Sequence, residues 1–104
     1  MDEERTHRIS QWIADELARI ECVRRAVLFG SRARGDNRER SDIDVAIEAP
    51  EATAGEWSDI VETVDSAPTL LRLDVVRLER TPAALRKEIE RDGKEIYSRE
   101  SSAA

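Results

Sequence analysis

The sequence predicts an α/β (α+β) domain with one small sheet and helices packed against it. Three observations lead there. Apolar residues recur at helical spacing in three stretches, 6–22, 56–66 and the segment after Thr81. Short apolar runs bounded by glycine, proline or charge lie between them, at 25–29, 41–48, 70–78 and 95–98. The two kinds of segment alternate over 104 residues, a length that suits a single domain, 1–104.

Ile9, Trp12, Ile13, Leu17 and Ile20 form one stripe, which predicts a helix over Thr6–Cys22 and makes Trp12 a core residue rather than a ligand-stacking one. Arg25–Phe29 is apolar on both faces, so the first strand belongs in the sheet interior. Ser31–Arg34 reads as a short helix or turn, 36–40 as a polar loop, Ser41–Glu48 as the second strand and 50–55 as a loop. Trp57, Ile60, Val61 and Val64 place a second amphipathic helix at Glu56–Ser66, ended by Pro68. In a third strand, Leu70–Leu78, the residues Leu71, Leu73 and Val75 point one way, and Asp74, Val76 and Leu78 the other. Thr81 as cap and Pro82 at the first position start a last helix. Ala84, Leu85 and Ile89 give its apolar side, and Gly93 ends it. Glu95–Ser98 is a short fourth strand with Tyr97 packed on the sheet, and the tail, 98–104, is expected to fray.

Composition narrows the function. The formal charge is −6 with 38% charged residues, which argues against a general nucleic-acid binder. Yet Arg24, Arg25, Arg32, Arg34, Arg38 and Arg40 crowd one short span, against Asp36 and Glu39. Arg32 and Arg34, beside a glycine turn, are candidates for a local anion site, and the other four read as solvated charges. The single cysteine, Cys22, excludes an internal disulfide and reads as a small buried or half-buried apolar group. The single histidine, His7, lies in a polar start and cannot make a zinc site. The charged opening and the lack of any apolar run near twenty residues lead to the expectation of a cytoplasmic protein.

The chemistry concentrates in Leu28–Glu48. An apolar strand stops at Gly30-Ser31, where glycine lets the backbone approach a ligand and the amides opening the next helix face an anion. Asp42 and Asp44 then stand two residues apart at the entry to the second strand, on the same face. Two neighbouring carboxylates repel, and a cation between them removes the repulsion. Oxygen ligands in ones and twos, completed by phosphates and water, are how Mg²⁺ is held. A phosphate cradle facing such a pair describes phosphoryl or nucleotidyl transfer. Asp74 lies in the apolar run LRLDVV, where an unpaired buried carboxylate would be costly. It must face water, pair with Arg72 or Arg77, or join a metal site.

Gly30-Ser31, ten residues, then Asp42-x-Asp44 resembles the signature of the nucleotidyltransferase superfamily related to DNA polymerase beta. The fuller string GSRARG…SDIDVAI is similar to its minimal members, the MNT proteins that form toxin–antitoxin pairs with HEPN proteins, and the match is densest over Leu28–Ile47. The resemblance implies the nucleotidyltransferase fold, a mixed sheet with helices packed against it. It implies nucleotide binding at Gly30, Ser31, Arg32 and Arg34, and a catalytic, metal-binding set of Asp42, Asp44 and Asp74, holding one or two Mg²⁺ ions. Asp74 would bind the second metal or accept the proton of the attacking hydroxyl. ATP is the implied substrate, and a HEPN-domain RNase toxin the implied partner. AMP would go to a tyrosine hydroxyl of that toxin, and this chain would be its antitoxin. Tyr97 reads as a sheet residue rather than an acceptor. Two further readings stay open: an antitoxin that neutralises by binding alone, and a transferase acting on a small molecule, against which the lack of an acceptor domain counts. A homo-oligomer is also left open.

Overall fold

The computed structural model describes residues 2–99. Its elements run α1 (Asp2–Leu17), β1 (Arg25–Phe29), α2 (Ser31–Arg34), β2 (Ile43–Glu48), α3 (Ala54–Asp65), β3 (Leu73–Arg77), a 3₁₀ turn (Leu78–Arg80), α4 (Ala83–Asp92) and β4 (Lys94–Ser98). The four strands form one sheet in the order β3-β2-β1-β4. β1 pairs antiparallel with β2 and with β4, while β2 and β3 run parallel. The sheet is therefore mixed, and the crossover that parallel pairing requires is supplied by α3.

Alternation along the strands splits the core between the two faces. On one face Leu28, Ile43, Val45 and Ile47 pack with Ile9, Ile13 and Leu17 of α1 and with Ile60 and Val64 of α3. On the other, Val27, Phe29 and Ala46 pack with Leu78 and with Ile89 of α4. Ala26 through Phe29 are all buried, as an interior strand with two covered faces requires. Asp44 belongs to the face of Ala46, and Asp74 to that of Val76, so the two carboxylates share the α4 side of the sheet. Trp12 and Cys22 are half-buried against the α1 side, and His7 is exposed.

Several boundaries differ from the sequence expectation, each for a local reason. α1 begins at Asp2, where Asp2, Glu3 and Glu4 complement the helix dipole, and it ends at Leu17 rather than at residue 22. Beyond its end the carbonyls of Ala18, Ile20 and Val23 accept hydrogen bonds from the Arg99 guanidinium at 3.3, 2.9 and 2.9 Å. The Arg99 amide also donates to the Arg24 carbonyl at 2.9 Å, so Arg99 is tied down where fraying was expected, and Ser98 closes β4. The rest of the expected tail, 100–104, lies outside the described residues.

α3 starts at Ala54, inside the expected loop, because Thr53 and Glu56 form a capping box: the Glu56 amide donates to Thr53 Oγ1 at 3.1 Å and the Thr53 amide to Glu56 Oε1 at 2.9 Å. β3 is shorter than expected. Leu70 stands exposed before it, and Leu78 already belongs to the 3₁₀ turn. Thr81 does not cap α4, because its hydroxyl donates to the Leu78 carbonyl at 2.9 Å; Pro82 holds the capping position instead. The far end of β2 is fixed by Arg77. Its guanidinium donates to the Ala49 and Ala52 carbonyls at 2.8 and 2.9 Å, pairs with Glu79 at 2.5 Å and lies 5.2 Å from the Trp57 ring centre. Among the described residues no helix is long and apolar enough to cross a membrane.

Candidate active site

The site begins where β1 runs out. Gly30 has φ 74° and ψ −156°, a backbone conformation that side-chain-bearing residues rarely adopt. The turn feeds directly into α2, whose Ala33 and Arg34 amides both donate to the Gly30 carbonyl at 3.1 Å. The amides that open this turn of helix have no partner within it. Ser31 is half-buried at its start. Gly35 closes α2 in the left-handed region at φ 87°, its amide donating to the Ser31 carbonyl at 2.8 Å.

Asp44 lies at the centre. In the β1–β2 pairing it stands opposite Phe29, and in the β2–β3 pairing opposite Asp74. Its carboxylate fills the space beside Gly30: a Cβ built on Gly30 would collide with Asp44 Oδ2 and come within 3.2 Å of its Cγ. Asp42 precedes the strand by one residue, and its charge acts on the Asp44 carboxyl. Asp74, on the edge strand, is exposed. Burial, reinforced by the negative charges of Asp74, Asp42 and Glu88, pushes the Asp44 carboxyl up from 3.8 to about 6, with Arg34 acting in the opposite direction. The structure thus gathers Gly30, Ser31, Asp42, Asp44 and Asp74 at one end of the sheet.

The two candidate arginines part company. Arg34 stays at the rim, half-exposed, paired with Asp36 at 3.1 Å and with Glu88 at 3.6 Å. The hydrogen bond and charge of Asp36 hold its guanidinium firmly protonated. Arg32 turns the other way. Its side chain is 0% exposed and its guanidinium bonds to the Ser41 and Glu39 carbonyls at 3.0 and 2.9 Å, to Thr6 Oγ1 at 2.8 Å and to Asp2 at 3.2 Å, with the Arg38 carbonyl at 3.5 Å. Those five contacts use all five donors of the fork, so none is left for the phosphate contact expected of Arg32.

Glu88 joins the site without any signal in the sequence. It flanks Leu85 and Ile89, which seat α4 on this face of the sheet, and that placement brings its charge to Asp44 and Arg34. Helical periodicity marks it only as a solvent-side residue, so nothing in the pattern singles it out.

The donor set fits Mg²⁺. It consists of carboxylate oxygens held against mutual repulsion, which a divalent cation relieves. No group of three or more Asp, Glu, His or Cys side chains among the described residues is placed to hold a metal ion by itself. Mg²⁺ is typically held by one or two carboxylates, with water and substrate phosphates completing its shell.

Comparison with known proteins agrees with this fold. The family described as polymerase beta nucleotidyltransferase matches residues 11–102. No curated protein matches. Among solved structures, a toxin–antitoxin complex with AMP-PNP contains a chain that superposes with a TM-score of 0.68 at 22% identity, covering 90% of this chain and 76% of that one. A chain of the complex between the tri-AMPylated Shewanella oneidensis HEPN toxin and its MNT antitoxin gives 0.59 at 18% identity, covering 90% and 76%. A chain of an MntA–HepT toxin–antitoxin complex gives 0.58 at 19% identity, covering 97% and 74%. At these identities the likeness is one of fold.

Proposed function

Because the chain belongs to the polymerase beta nucleotidyltransferase family, we propose that it transfers AMP from ATP to a tyrosine hydroxyl of a HEPN RNase toxin and thereby acts as that toxin's antitoxin. The observation that carries the reading is the pairing of Asp44 with Asp74 across β2 and β3, with the Asp44 carboxylate packed against the Gly30 turn. A phosphate cradle and an acidic cluster meet at one point, which is the requirement for moving a nucleotidyl group. The matched structures include one bound to AMP-PNP and one with an AMPylated toxin, and both support the choice of nucleotide and acceptor.

In this reading the turn amides at Gly30-Ser31 and the Ser31 hydroxyl orient the β and γ phosphates, and Arg34 leaves Asp36 to pair with them. Asp42 and Asp44 hold Mg²⁺, whose chemistry when bound is to neutralise charge on the phosphates and on the departing pyrophosphate. The acceptor oxygen attacks the α-phosphorus. A new P–O bond forms there as the bond to the bridging oxygen of the β-phosphate breaks, and pyrophosphate leaves. Asp74, facing water at the sheet edge, would receive the hydroxyl proton or hold a second Mg²⁺. The adenylylated residue gains a phosphodiester anion and a bulky base, which obstruct an RNA cleft by charge and by size. A cytoplasmic setting suits such a pair.

The test is the intact mass of the co-expressed helical partner after incubation with this protein, ATP and Mg²⁺. A gain of one or more AMP groups that disappears in Asp42→Asn is the expected result. No gain, with toxicity still suppressed by Asp42→Asn, would leave neutralisation by binding alone.

A further inference from the structure

We propose that Arg32 is a positioning residue: its buried guanidinium locks the chain entering β2 to the phosphate turn, and so sets where Asp42 stands relative to Gly30-Ser31. The inference rests on reading Asp42 as a metal-side carboxylate. Arg32 is two residues beyond Gly30, on α2, and its Nε donates to the carbonyl of Ser41, the residue immediately before Asp42, at 3.0 Å. A second arm reaches the Glu39 carbonyl at 2.9 Å. The segment it grips is itself closed, because Ser41 Oγ accepts from the Arg38 amide at 2.8 Å and the Ser41 amide donates to the Arg38 carbonyl at 3.1 Å. The third arm is anchored on α1, at Thr6 Oγ1 and Asp2.

This segment has no strand pairing of its own before Ile43. The other ties of this loop lie at its ends, from Asn37 Nδ2 to Asp2 and from the Ile43 amide to the Arg72 carbonyl at 2.9 Å, so without the guanidinium Asp42 would sample positions relative to the turn that presents the phosphates. A fork with five fixed donors can bridge three separate segments at once; an ammonium, with three donors on one atom, cannot span the same acceptors. Burying the guanidinium is costly even with the Asp2 carboxylate at 3.2 Å, and the cost is consistent with a role in fixing geometry. Arg32 therefore acts on the reaction through Asp42, without touching the nucleotide.

The experiment compares Arg32→Lys with the parent by three readouts. These are amide hydrogen exchange over 38–42, Mn²⁺ binding in the presence of ATP followed by electron paramagnetic resonance, and ATP binding in EDTA. The expected result is exchange in 38–42 faster by about tenfold or more, Mn²⁺ binding weaker by roughly 10- to 100-fold, as for residues that orient a metal ligand, and ATP affinity in EDTA changed by less than about twofold. Unchanged exchange overturns the proposal. So does faster exchange with unaltered Mn²⁺ binding, which leaves a purely structural role. An equal loss of ATP affinity in EDTA would make Arg32 a phosphate ligand instead. Should Arg32→Lys fail to fold, Ser41→Ala, which loosens the same segment and leaves the guanidinium in place, decides by the same readouts. A parent protein that binds Mn²⁺ and ATP but adds no mass to the toxin defeats the proposed function and leaves this inference standing.

Discussion

The carboxylate of Asp44 occupies the volume that any side chain on Gly30 would need. Gly30 and the central acid of the cluster are therefore one packed unit, and substitution at either is felt by the other.

Gly30→Ala should destabilise by roughly 2–4 kcal/mol, from the strained φ of 74° and from the collision with Asp44. In an Asp44→Ala background only the backbone part remains, so the cost should fall by about 1 kcal/mol or more. Urea unfolding of the two singles and the double measures the coupling, and additive effects would show that the collision is relieved elsewhere.

Asp44→Asn should stabilise the protein near neutral pH when no metal is present. The folded carboxyl titrates at about 6 against 3.8 unfolded, so the folded state holds its proton more tightly. Stability from this group is fully present below 3.8 and is lost as pH rises through about 6. The neutral amide escapes that loss. After discount for the water reaching a half-buried side chain, the gain at pH 7 is on the order of 1 kcal/mol, about 4 °C in melting temperature. Melting curves in EDTA at pH 7 and pH 4 check it, and the gain should vanish at the lower pH.

Asp42→Asn and Asp44→Asn should each lower Mg²⁺-dependent AMP transfer by about a hundredfold or more, with the far-UV circular dichroism spectrum unchanged. Pyrophosphate release at saturating ATP is the measurement. Parental rates in both variants would move the metal site away from β2.

Arg77→Ala should cost about 3–4 kcal/mol, because the Ala52 carbonyl loses its donor, the Ala49 carbonyl one of its two, and Glu79 its ion-pair partner. Arg77 holds the opposite end of β2 from Asp44. Denaturant unfolding should therefore show a large loss, while Mn²⁺ binding measured well below the melting temperature stays near the parental value.

Period and spacing disclosed the sheet well. The alternation of Asp74, Val76 and Leu78 against Leu73 and Val75 is how the two faces divide in the structure. The likeness of Arg32 to Arg34 was misleading, because the two are interchangeable by residue type. Two residues along a helix are a rotation of about 200°, so they leave α2 on nearly opposite sides. One enters the gap beneath α1 and the other reaches α4, and only the packing of those helices decides which is which. The Thr53–Glu56 capping box was legible as a threonine followed three residues later by glutamate, and an expected loop overrode it. Glu88 was not legible, since its approach to Asp44 depends on how Leu85 and Ile89 seat α4.

The parallel pairing of β2 with β3 has a kinetic consequence. β1 and β2 lie within 25–48 and can zip as an antiparallel pair, whereas β3 must return through the whole α3 crossover before Asp74 reaches Asp44. Docking of β3 on the native side of the rate-limiting barrier would place the repulsion between the two acids on that side as well. Removing it with Asp74→Asn should leave the refolding limb of the chevron in place and slow the unfolding limb. The charge that the reaction needs is then carried as a shorter lifetime of the folded state, with no penalty on the speed of reaching it.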